Sequence, residues 1–279
     1  MRPDGRRIKG LDPFFQIVPH IMPKRYDAQV FFDSELDYTT SKKYINRKRK
    51  EGIKLSFMSL FVAAFVRTVS QMPEINRFIM SKKIFARNET CVSFAILRAE
   101  GTQEDSMETT AKVKFNREDT VFDVAKKMDE TIIDNRKMDN ANFTDKLAKF
   151  FMGIPLIPGG LISFVKFLDK IGLLPKALLD GIPFHTSLFI TNMASINMGS
   201  VYHHLYDFGT TSLFVGMGKM EDRSYEKDKK KRVIPMCVVA DERICAGATF
   251  AKAFAMIGKY LADPTLLEVP PEKVRDDIK

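Results

Sequence analysis

Apolar residues occupy nearly every face of residues 56–72, where Leu60, Phe61, Ala64, Phe65, Val66 and Val69 crowd together. That pattern predicts a buried helix rather than one with a wet face. The period changes on either side. Residues 30–36 mix aromatic and polar side chains in the manner of a strand, and Asp37 to Thr40 offer capping residues for a helix running to about Lys50. Residues 91–97 and 111–115 read as further strands. Thr120, Val121, Phe122 and Asp123 form a capping-box pattern, after which Val121, Val124, Met128 and Ile132 hold a helical stripe. The continuous apolar run 233–239 has the character of a strand at the centre of a sheet. Phe250, Phe254, Ile257 and Leu261 then line one helical face until Asp263 and Pro264 stop it. Strands and helices mix throughout, which predicts an α/β protein (an α+β two-layer sandwich) with a mixed sheet covered by helices.

Composition changes this picture little. The chain of 279 residues is 45% hydrophobic and 28% charged, enough to bury a large core without disulfides or metals. No Ser/Gly/Pro-rich linker divides it, so residues 1–279 are read as one domain. The three cysteines, Cys91, Cys237 and Cys245, show neither C-x-x-C nor zinc-like spacing, which favours reduced thiols and a cytoplasmic protein. No signal peptide is visible at the start. The net charge of +9 raises the question of an acidic partner. Basic residues cluster at 47–50 and 227–232, but without interleaved aromatics or a single recognition element, so nucleic acid is excluded as a partner. The second run is read as a solvated loop between strands 212–216 and 233–240.

Residues 142–184 stand out. Phe150, Phe151, Leu161, Phe164, Phe167 and Leu173 lie among prolines and glycines, forming an apolar helical insertion. Pro155, Pro158, Lys166, Asp169 and Lys170 leave no apolar run of the ~20 residues that a membrane span needs. Three readings stay open: a core or subunit-contact lid, an interfacial helix making peripheral contact with an anionic membrane through its lysines, and an acyl-chain pocket.

Four segments, in order, resemble one known superfamily. Phe32 to Asp37 (F-D-S-E-L-D) looks like its early strand, and Pro73, Glu74, Ile75, Asn76 like its P-E-[VI]-N turn. Leu188 to Asn192 (L-F-I-T-N) looks like its T-I-[ST]-N strand. Asp241 to Gly247 (D-E-R-I-C-A-G) looks like H-x-x-x-D-G, with Glu242 at the His position and Ala246 at the Asp position. The superfamily is that of chloramphenicol acetyltransferase and the dihydrolipoyl acyltransferases of 2-oxoacid dehydrogenases. The resemblance covers most of the chain outside about 138–185 and extends to the catalytic core alone, with no room for lipoyl or subunit-binding modules.

The resemblance implies a trimer or larger homo-oligomer, and acyl transfer from coenzyme A or a lipoyl-type thioester without a metal. Such chemistry needs a base for the acceptor's proton, a hydroxyl for the oxyanion, and a pantetheine channel between subunits. Thr191 falls on the oxyanion position and Glu242 on that of the base. A carboxylate has a reference pKa of ~4.3 against ~6.5 for histidine, so Glu242 is a poor match unless burial raises it. In the superfamily the motif Asp pairs with an arginine to fix the loop. Ala246 cannot, and among Arg6, Arg7, Arg25 and Arg243 the sequence does not choose a former partner. His203 and His204 are alternative bases, of which strand alternation lets at most one face inward. No G-x-S-x-G, H-E-x-x-H, P-loop or G-x-G-x-x-G appears. Two functions remain: a thioester-dependent acyltransferase, or a non-catalytic trimeric scaffold or thioester-binding homologue that lost the catalytic His and Asp.

Overall fold

The computed structural model describes residues 2–97, 108–136, 158–226 and 229–279. Its centre is the helix the sequence marks most strongly, α3 (Phe57–Gln71). Ser56 caps it: the Ser59 amide donates to Ser56 Oγ at 3.0 Å and the Ser56 amide to Ser59 Oγ at 3.0 Å, which satisfies two amides that the first turn leaves free. From Ser59 to Ser70 every residue of α3 is buried, as an all-round apolar surface requires. Phe61 and Phe65 are among the largest fully buried side chains, each contributing roughly 1.5–3 kcal/mol on burial.

The helix packs on a mixed sheet, in spatial order β2 (Gln29–Asp37), β10 (Lys229–Asp241), β8 (Leu213–Met217), β7 (Leu188–Asn192), β5 (Thr90–Leu97) and β6 (Glu108–Phe115). The pairs β5·β7 and β7·β8 are parallel and the others antiparallel. A seventh strand, β9 (Glu221–Glu226), pairs with the start of β10. Besides α3, the helical layer contains α2 (Tyr38–Lys50), α4 (Val121–Arg136) and α7 (Gly247–Ala262), whose Phe250, Ile257 and Leu261 join the main core. Asp37 caps α2 by accepting from the Thr39 amide, and the Thr120–Asp123 capping box at α4 is present in both directions. A separate three-stranded sheet, in order β1 (Gly5–Arg7), β4 (Lys83–Arg87), β3 (Arg77–Met80), stands beside this body.

One local expectation is corrected. The basic run at 227–232 is not simply a loop, because β10 begins at Lys229 and Lys230 to Arg232 pair with Ser224 to Asp222 of β9. Lys231 and Arg232 stay exposed, so a two-stranded ribbon carries the charge into solvent.

Of the apolar insertion, 142–157 lies outside the described residues, while 158–184 contains α5 (Pro158–Ile171) and α6 (Lys176–Gly181). No helix among the described residues is long and apolar enough to cross a membrane. Helix α5 has two unlike sides. Phe164, Phe167 and Ile171 are exposed, whereas Asp169 is buried and accepts from Arg2 NH2 at 2.8 Å while lying 2.9 Å from His185 Nε2.

Burial lowers the His185 pKa against the pull of Asp169, with Lys112 acting in the same direction as burial and Asp4 opposing it. For Asp169, burial works upward, but His185 and Arg2 together bring its pKa below the ordinary carboxylate range. Both shifts have one sign for stability: the unfolded chain binds more protons than the folded one as pH falls below about 6.5, so stability rises with pH through that window. We expect the urea midpoint to be lower at pH 5 than at pH 7.5, and His185→Leu to flatten the upper part of that dependence. An unchanged midpoint across this interval would contradict the assignment.

Candidate functional site

Strand β10 runs straight into the motif loop, and the side chain that fixes the turn is Asp241. Fully buried, it accepts from Arg243 Nε at 2.8 Å and Arg243 NH2 at 2.7 Å, and Arg25 Nε lies 3.6 Å away. Arg25 also donates to the carbonyls of Tyr206 and Gly209, and Arg243 to that of Met22, so three chain segments meet on one carboxylate. Such planar bidentate pairing is what a guanidinium offers and an ammonium does not. The carboxylate that fixes this loop thus stands five positions before Ala246. The sequence carried a signal for it, an Asp two residues before an Arg, but could not choose Arg25 from the upstream arginines.

Glu242 is exposed, and its amide donates to the Ala28 carbonyl at 2.9 Å. With Cys245, Ala246 and Gly247 it lines a groove of about 490 Å³, whose other wall is α1 (Pro13–Ile21) with Phe14, Phe15 and Val18. Burial pushes the Cys245 thiol up to about 12, so it behaves as a small apolar group there. Ala246 at the N-cap of α7 makes no side-chain cap hydrogen bond. The groove is apolar, with Glu242 as its charged member.

Thr191 lies elsewhere. Strand alternation turns Leu188 and Ile190 to the helical layer and Phe189 and Thr191 to the opposite face, where Phe214 and Val239 join Phe189 in a second cluster. The register places Thr191, Gly216, Cys237 and Asp33 in one row across β7, β8, β10 and β2. A Cβ on Gly216 would stand 2.2 Å from the Val201 carbonyl oxygen, and one on Gly218 2.3 Å from the Ser200 amide. The glycine pair therefore exists to let residues 199–201 cross the strand at backbone contact. That crossing sets the next residues. Tyr202 donates to Asp33 Oδ1 at 2.8 Å, and the His203 ring stacks on Phe214 with centroids 4.4 Å apart.

A cavity of about 310 Å³ results, lined by Thr191, Asn192, Ser195, His203, Tyr206 and Phe214 among others. Thr191 Oγ1 is 3.6 Å from Met193 Sδ, and His203 Nε2 is buried without a hydrogen-bond partner. Burial, then the neighbouring His204, lowers the His203 pKa, which favours the neutral ring. His204 itself is exposed and stacks edge-on with Tyr206. Of the residues singled out from sequence, the structure brings Thr191 and His203 to one cavity. Glu242 lines a different one, just past the C-terminal end of β10.

No protein-family model and no curated protein sequence matches this chain. Solved structures do. The core of a pyruvate dehydrogenase multienzyme complex, a cubic assembly, superposes with a TM-score of 0.58 at 13% identity, covering 90% of this chain and 87% of the other. A probable dihydrolipoamide acetyltransferase from Listeria monocytogenes gives 0.56 at 15% identity, covering 92% and 94%. A chloramphenicol acetyltransferase gives 0.58 at 12% identity, covering 92% and 99%. Identities this low speak for architecture alone. The fold of this chain is that of the chloramphenicol acetyltransferase and dihydrolipoamide acetyltransferase cores, as its four sequence segments imply.

Proposed function

We propose that this protein transfers an acyl group from a coenzyme A or lipoyl-type thioester to an acceptor, in the cavity that holds Thr191 and His203. The observation that carries the reading is the unpaired, buried Nε2 of a neutral-favoured His203, a residue that lines the same cavity as Thr191. In the reaction, His203 Nε2 takes the acceptor's S–H or O–H proton as the acceptor attacks the thioester carbonyl. Thr191 Oγ1 donates to the oxyanion so formed. Collapse of the tetrahedral adduct breaks the C–S bond, and the departing thiolate recovers the proton from the imidazolium.

A homotrimer or larger assembly belongs to the same proposal. It is supported by the cubic assembly of a structural neighbour and by α1, where Phe14, Ile17 and Ile21 are 69%, 51% and 69% exposed beside Glu242. A reducing, cytoplasmic setting accords with three buried free cysteines.

Thiol release from a panel of acyl-coenzyme A donors tests the reading. His203→Gln and Thr191→Val should each lower kcat/KM by about 100-fold or more, with Glu242→Gln within about threefold of the parent. If Glu242→Gln is the variant that abolishes release, the base belongs to Glu242 and must meet Thr191 across subunits. A second reading, a non-catalytic thioester-binding scaffold, is favoured by Ala246 in place of a carboxylate and by the exposure of Glu242. Absence of turnover in the parent protein, with retained coenzyme A binding, would select it.

A further inference from the structure

A second, larger cavity of about 560 Å³ lies apart from Thr191, between the three-stranded sheet and the tail carrying Asp276 and Asp277. Thr90, at the first residue of β5, lines it, while Ala95 and Ile96 near the far end of the same strand line the Thr191 cavity. Its walls are cationic. Arg6, Arg7, Lys9, Arg87 and Arg117 face two carboxylates, and both of these are already engaged: Asp276 with Arg117 at 2.9 Å, and Asp277 with Arg77 Nε at 2.7 Å.

Arg87 is the telling member. Its guanidinium stacks on Phe78 at 4.6 Å and donates to Thr210 Oγ1 and the Thr210 carbonyl, yet Nε has no partner. Among the described residues no carboxylate lies within ion-pairing distance of it, and burial holds its pKa below the ordinary value. Asp4 and Glu89 attract this half-buried guanidinium from farther off, but its Nε keeps a donor with no acceptor, which is costly. Two further lining groups are buried and unsatisfied. Thr90 Oγ1, in a residue 2% exposed, can donate, and Asn76 Oδ1, in a residue 6% exposed, can accept. Native interiors seldom leave such atoms unpaired, and three at one cavity mark a place for a ligand.

We propose that this cleft binds a phosphate ester of about nucleotide size, its phosphates held by the arginines, Lys9 and the Thr90 hydroxyl, and an N–H or O–H of its organic part donating to Asn76. The volume falls in the range of small-molecule sites, and Val69, Pro73 and Ala86 supply an apolar surface for the organic part. This site is independent of the acyl-transfer reading.

Calorimetric titration of the whole chain with ATP, inorganic pyrophosphate and adenosine tests it. ATP and pyrophosphate should bind with an affinity that falls as salt rises, and adenosine should not bind. Arg7 and Lys9 are exposed side chains, so Arg7→Gln/Lys9→Gln should fold normally and bind ATP about tenfold more weakly. Thr90→Val removes an unsatisfied hydroxyl: thermal stability should hold or rise while ATP affinity falls. The proposal is overturned if neither phosphate binds at about 1 mM, if adenosine binds as well as ATP, or if both variants bind like the parent.

Discussion

Asp241→Asn should be the most damaging conservative change in the protein, lowering stability by about 3–5 kcal/mol. The side chain is fully buried and is the only carboxylate within ion-pairing distance of Arg25 and Arg243 among the described residues. Desolvation already depresses the Arg25 pKa, with the Asp241 charge working against it. An amide would keep one acceptor and lose the charge, leaving two guanidinium groups buried together. For a domain of this size the loss corresponds to a fall in melting temperature of roughly 6–20 °C. Scanning calorimetry reads it, and a fall under about 2 °C would refute the account. Removing the partners together should hurt less, because replacing a buried ion pair by apolar groups is often neutral. Asp241→Leu/Arg243→Met should therefore recover part of what Asp241→Asn loses.

Gly216→Ala should follow, at about 1–3 kcal/mol, the usual cost of forcing atoms into a packed site. At 2.2 Å from the Val201 carbonyl, the new methyl cannot fit without moving backbone. Residues 199–206 must lift from the sheet, and with them the His203 ring that stacks on Phe214. The proton signals of that imidazole, ring-current shifted by Phe214, should move in the variant's NMR spectrum. Gly199→Ala is the control, since nothing lies within 4 Å of a Cβ there. If both variants behave alike, the close crossing is not what positions His203.

Local pattern made most of the fold readable. The capped apolar helix after Ser56, the capping box at Thr120 and the stripe from Phe250 to Leu261 each announce themselves by period, because each buries one face or all faces in a fixed repeat. The site was less legible for reasons that are also physical. Nothing local tells which of several arginines crosses more than 200 positions to a carboxylate, as Arg25 does to Asp241. The purpose of Gly216 and Gly218 depends on a segment that loops back over them. His203 could be proposed as an alternative to Glu242, yet only the stacking on Phe214 shows which of two adjacent histidines turns inward. The basic run at 229–232 was misjudged because charge suggests solvent, and an edge ribbon reaches solvent as well as a loop does.

Arg77 grips Asp277 across 200 positions and, with its other nitrogen, holds the Ile244 carbonyl inside the motif loop. On a ribosome this makes the order of events strict. Arg77 emerges early and the loop much later, but the clamp that joins them waits for the tail. Until then the loop that carries Glu242 has its strand and its Asp241 anchor without the Arg77–Asp277 pair.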